Sequence, residues 1–192
     1  MPSYAKKIDL KNLPAKRLPG LRTLTVRARP GLPTQGLINI GGGIVFPCAL
    51  GRGGISSAKR EGDGATPLAA MRLLSGYVRD RRFAHRSALP LSRIAPDLGW
   101  CEVPDDRNYN RPVKIPYSAS HETMQRPDRL YDAVIVLDWN IRPRRRGRGS
   151  AIFFHLARPG FSPTAGCVAV THGVMARLLP RLSRHTVMRV VR

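Results

Sequence analysis

The sequence predicts a β-rich α+β domain with short helices, and three observations point there. Glycine and proline are frequent, 18 and 17 of 192 residues, which cuts the chain into short segments. The apolar runs between those breaks either alternate or are rich in β-branched side chains. One stretch alone, at Thr171 to Pro180, carries both a helix start and a helix stop.

Taken in order, residues 1–20 read as a basic arm, with four lysines, Pro14 and Pro19, ahead of a single domain over 21–192. Residues 21–29 alternate as a half-exposed strand does, and 37–50 read as one strand with a glycine-marked bend. A glycine-rich loop follows over 51–67. Residues 69–79 suit either a strand or a helix. The Pro-, Asp- and Asn-rich stretch 95–117 reads as irregular. Val134-Ile135-Val136-Leu137 marks a buried strand, and the arginines between 142 and 148 a loop. Strands are expected over 151–156, 168–170 and 186–191. Thr171 suits the N-cap of a helix over 173–179 that Pro180 ends.

Composition narrows the function classes. Lys+Arg 33 against Asp+Glu 12 gives a formal charge of +21, a field that attracts polyanions. No nucleic-acid module accompanies it, and no aromatics interleave the arginine run, so no specific nucleic-acid partner is expected. Cys48, Cys101 and Cys167 form no Cys-x-x-Cys pair and no metal-ligand spacing, and the glycines form no phosphate loop. Neither a metal nor a cofactor is implied. Cys48 and Cys101 either pair, in an oxidising compartment, or sit as buried small apolar groups. No transmembrane segment is expected, and residues 1–16 carry no secretory h-region.

The chemistry concentrates at Cys167, a thiol preceded by Thr164-Ala165-Gly166, with His155 ending the previous apolar run. A thiol nucleophile needs a base within hydrogen-bond reach and backbone donors for the oxyanion. The two lie twelve positions apart, roughly 40 Å if extended, and Pro159-Gly160 and Ser162-Pro163 supply the turns that bring the chain back. Gly166 permits a tight turn at the oxyanion position. Arg158 and an imidazolium at His155 are expected to lower the thiol pKa.

The histidine strand followed by Thr164-x-Gly166-Cys167 resembles the active-site signature of the YkuD-type L,D-transpeptidase catalytic domain of bacterial cell-wall enzymes. Thr66-Pro67, Gly99-Trp100-Cys101 with Asn108-Tyr109-Asn110, and Gly149-Ser150 agree with it, so the resemblance spans roughly residues 35 to 191. It implies a mixed β-sandwich with short helices. It also implies a peptidoglycan L,D-transpeptidase that joins peptide stems through a thioester, in the periplasm or cell wall. Cys167 is then the nucleophile and the site of a carbapenem adduct, His155 the proton donor and acceptor, and Gly166 part of the oxyanion turn. Arg60, Asp63 and Thr66, with Thr164, Arg158, Tyr109 and Asn110, are the candidate substrate contacts. Loop residues of these types also serve only to hold a loop together.

The sequence departs from the family pattern at Ala165, usually histidine, at Ala169, commonly polar, and at Ala69, usually glycine. These departures keep a hydrolase on the same scaffold as an alternative. A basic polyanion-binding protein and an inactive wall-binding domain are further alternatives. Thr171-His172-Gly173-Val174 imitates the motif but offers no nucleophile, so His172 is expected to start the helix. His121 is a candidate for the cleft wall.

Overall fold

Three strands open the fold: β1 (Thr23–Arg29), β2 (Leu32–Asn39) and β3 (Val45–Ala49). The computed structural model describes residues 20–79 and 87–192. The expected arm, apart from Gly20, and His85 lie outside them. The single bent strand expected over 37–50 is instead a hairpin. Gly41, Gly42 and Gly43 have φ of +88°, +60° and +75°, and three successive left-handed residues reverse the chain rather than bulge it. The Ile40 N–H then bonds the Ile44 carbonyl and Asn39 pairs with Val45.

A short parallel pair, β4 (Ile55–Ser56) and β5 (Thr66–Pro67), closes the loop over 51–67. The ambiguous segment is a strand, β6 (Ala70–Val78), followed by β7 (Leu91–Arg93). Met71 and Leu73 turn inward at the period of two that a strand requires. The stretch expected to be irregular contains β8 (Leu98–Cys101) and β9 (Pro112–Lys114), and β8 pairs with β9 on one side and with β10 (His121–Thr123) on the other. Its turn-forming Asp and Asn residues sit in the connection between those strands, which masks their brevity in the sequence.

The remaining strands are β11 (Ala133–Leu137), β12 (Phe153–Leu156), β13 (Val168–Val170) and β14 (Val187–Val191). The main sheet runs β11-β12-β13-β3-β2-β1-β14-β6-β7, and β11 also pairs with β6, so the mixed sheet curls onto itself. Inside it Leu24, Val26, Ile38, Leu73, Ile135, Phe154, Val168 and Met188 form the larger core. Helix α1 (His172–Leu178) starts on Thr171, whose Oγ1 accepts from the Val174 N–H, and Pro180 lies in the 3₁₀ turn that ends it. His172 is its first residue, as expected.

Along β11 every residue is buried, because both faces of the sheet are covered there. Val134, Val136, Phe153 and Cys167 face outward against Trp100, Met124 and Tyr131 of the 95–131 insertion. Trp100 meets the Phe153 ring edge-on at 5.2 Å. Burying an aromatic ring of this size contributes about 2–3 kcal/mol, so the insertion is held firmly over β12 and β13. All three cysteines are free and buried. Cys48 packs inside the main sheet while Cys101 lies on the small outer one, so the two are in different layers and do not pair. Among the described residues no helix is long and apolar enough to cross a membrane.

Candidate active site

The site stands on two parallel strands. Phe154 is in register with Val168, and His155 with Ala169, so Cys167 stands beside Phe153 just ahead of β13. Residues two apart share a face, which puts His155 and Cys167 on the same outer face, about 8 Å apart at their Cα atoms. Phe154, Leu156, Val168 and Val170 point the other way, into the larger core. Alternation on these two strands is what delivers thiol and imidazole to one cleft of about 500 Å³.

Both side chains are buried, His155 at 5% and Cys167 at 6% exposure. His155 Nδ1 lies 2.8 Å from the Leu156 carbonyl, which only accepts, so the proton sits on Nδ1 and Nε2 keeps its lone pair. The Cys167 thiol donates to the Ala151 carbonyl at 3.2 Å and accepts from the Phe153 N–H at 3.3 Å. Burial pushes the thiol up to about 12, offset in part by the Phe153 N–H. Burial also lowers His155 to about 4, against the pull of its Leu156 contact. The expected fall in the thiol pKa is therefore reversed. Desolvation outweighs the nearby cations, and Arg158 spends its charge on Asp128 at 3.2 Å instead. The resting pair is a neutral thiol beside a neutral imidazole.

The turn before Cys167 is built from one hydroxyl. Thr164 Oγ1 accepts from the Gly166 N–H at 3.1 Å and donates to the Cys167 carbonyl at 2.7 Å. Gly166 has φ +134°, and a Cβ there would stand 2.8 Å from the Ala65 carbonyl oxygen, so only glycine fits. Its amide is occupied by Thr164, which leaves Gly166 shaping the turn rather than donating to an oxyanion.

Of the residues expected from the sequence, Cys167, His155, Thr164 and Arg158 line the cleft, as do Ala165 and Ala169. The others do not. Asn110 is buried and fully bonded: its Oδ1 accepts from Trp100 Nε1 (2.9 Å) and the Ala151 N–H (3.1 Å), and its Nδ2 donates to the carbonyls of Trp139 and Asn140. It clamps the insertion to the residue whose carbonyl receives the thiol. Tyr109 donates to Glu61 at 2.5 Å, and burial and that carboxylate push its phenol well up. Thr66 accepts from the Gly51 N–H. Asp63 accepts from Lys59 Nζ and from the amides of Arg60 and Ala65, and those bonds hold its carboxyl below the usual range against the upward effect of burial. The Arg60 side chain does not reach the cleft. His121 also turns away: on β10 it is Glu122 that pairs with Trp100 and shares its inward face.

Sequence reasoning missed Tyr131, Arg126, Glu122 and Arg52, all of which line the cleft. The Tyr131 ring packs edge-on against His155 at 5.1 Å, with the Arg126 guanidinium 5.2 Å from its centroid. Arg126 is forked onto Asp128 (2.9 and 2.7 Å) and bonded to Glu122 (2.5 Å). Its charge favours a thiolate at Cys167 and disfavours an imidazolium at His155. The alternation of β10 is the one signal that could have found Glu122. Among the described residues no group of three or more His, Cys, Asp or Glu could hold a metal ion.

The family model of the L,D-transpeptidase catalytic domain (YkuD) matches residues 33–191. The chain belongs to that family. Among solved structures it is similar to L,D-transpeptidase 1 of Mycobacterium tuberculosis, at 12% identity and a TM-score of 0.39, over 88% of this chain and 62% of that one. No curated protein matches it. Ala165 and Ala169 both line the cleft and offer it only methyl groups.

Proposed function

We propose that this chain is a peptidoglycan L,D-transpeptidase that cross-links peptide stems through a thioester on Cys167. The observation that carries the reading is the pairing of β12 with β13, with His155 Nε2 unprotonated on the same face as the thiol. Both groups are neutral at rest, so the proton leaves sulfur as the bond to carbon forms.

In the first half-reaction the Cys167 sulfur attacks the carbonyl carbon of the scissile amide and His155 Nε2 takes the thiol proton. The tetrahedral oxyanion collapses, the C–N bond breaks, and His155 returns the proton to the departing amine. In the second, an amine of another stem attacks the thioester carbon and gives its proton to His155. The C–S bond then breaks and the thiolate is reprotonated. Arg126 supports the charge on sulfur in both halves without touching it. Its second role is to keep the imidazole neutral and ready to accept.

The substrate class implies work in the periplasm or at the cell wall, and a carbapenem is expected to acylate Cys167. A hydrolase on the same scaffold is the second reading. Ala165 and Ala169 favour it, because their methyls offer no polar group to orient an acceptor amine. Incubation of the protein with a disaccharide-tetrapeptide, followed by mass spectrometry, separates the two. Cross-linked dimers mean transfer and tripeptide monomers alone mean hydrolysis. Neither product would contradict both.

A further inference from the structure

Three guanidiniums line the cleft, and two of them are neutralised within the protein. Arg126 is bonded to Glu122 and Asp128, and Arg158 to Asp128. Arg52 has no carboxylate partner among the described residues. Its Nη2 reaches only the Gly62 carbonyl, at 3.4 Å.

The local chain is built to hold this side chain in place. Residues 51–54 run against 63–66, with the Gly53 N–H on the Gly64 carbonyl and the Gly51 N–H on Thr66. The arginine stem lies across Gly64, where a Cβ would stand 2.5 Å from Arg52 Cγ and 2.7 Å from its Nε. Any side chain at 64 would push Arg52 out. The Arg52 N–H also bonds the Thr164 carbonyl at 2.8 Å, which ties it to the turn that carries Cys167. An exposed cation, seated on a glycine and fixed beside the nucleophile, is placed to receive an anion.

We propose that Arg52 binds the free terminal carboxylate of the peptide stem that reacts at Cys167. The assignment rests on the peptide-stem reading above. A planar guanidinium forms two parallel bonds to a carboxylate and only one of comparable strength to a carboxamide. The carboxylate is the only charged group that every unmodified peptide stem carries at its end. Arg52 is thereby a specificity-determining residue, and it acts on binding rather than on proton transfer.

The test uses the full chain carrying Cys167→Ser, so that binding is read without turnover, and two tetrapeptide stems that end in a carboxylate or in a carboxamide. Calorimetry is expected to give a preference for the carboxylate of roughly 10- to 100-fold. With Arg52→Gln the preference falls to about twofold or less, because carboxylate affinity drops far more than carboxamide affinity. Arg52→Lys keeps the charge without the fork and retains an intermediate preference. Added salt weakens the preference in the Arg52 protein itself, a readout that needs no further variant. A preference that survives Arg52→Gln, no preference in the Arg52 protein, or no binding of either peptide overturns the assignment. Stem acylation of native Cys167, measured separately, judges the reaction itself, so the two failures are distinguishable.

Discussion

The strand pair β12–β13 and the loop over 51–67 both carry polar residues, and they use them in opposite ways. On the strands, His155 keeps one nitrogen free and Cys167 makes two long contacts. In the loop, Asp63 accepts three hydrogen bonds, and Thr66 and Lys59 are buried with theirs satisfied. Arg52, which lines the cleft, has no carboxylate partner among the described residues, so its charge is left over. A polar group whose bonding capacity is spent inside the protein holds the fold, and one with capacity left can act on a ligand.

The largest way to break the comparison is at the strands. Cys167→Ala is expected to lower the transfer or hydrolysis rate by at least ~10³-fold while circular dichroism and the melting temperature stay close to the parent. His155→Gln should lower the rate by ~10²- to 10⁴-fold, again with the fold kept. A large loss of melting temperature in either variant would mean that these groups serve the core instead.

At the loop the expected effect is of the other kind. Asp63→Ala strips the buried Lys59, 2% exposed, of its carboxylate and should cost ~3 kcal/mol in denaturant unfolding. The rate of the folded fraction should be unchanged. A normal stability with a collapsed rate would make Asp63 a substrate contact after all.

The smallest effect sharpens the account of the strands. His155 is held near 4 in the fold against an ordinary 6.5. Between those values the unfolded chain binds the proton and the folded one does not, so stability is lost as pH falls from 6.5 towards 4. The slope is ~1 kcal/mol per pH unit. His155→Gln should flatten that slope in urea titrations across the same window, and an unchanged slope would count against a buried neutral imidazole.

That Cys167 and His155 come to share one cleft is legible in the sequence, because the turn residues between them bring two neighbouring strands side by side. The β-rich class is legible for a similar local reason, the short apolar runs between breakers. Other features depend on partners far away in the chain. Asn110 looks the same in sequence whether its four bonds go to substrate or to Trp100, Trp139, Asn140 and Ala151. The sign of the Cys167 shift depends on burial by Trp100, in a stretch that the sequence presents as irregular, and by Tyr131, far from it in the chain. The hairpin at Gly41 to Gly43 was hidden because a run of glycines permits a bend and a reversal equally.

The central claim is a thioester at Cys167, and mass spectrometry of the acid-quenched, digested protein tests it most directly. The full chain is mixed with a tetrapeptide stem whose side-chain amine is blocked, quenched in acid within seconds and digested. The account predicts an added mass equal to the stem less the free amino acid released from its end (one residue and one water), located on the peptide containing Cys167, absent in Cys167→Ala and strongly reduced in His155→Gln. Turnover of the same stem without any adduct at Cys167, or an adduct on another residue, would contradict it.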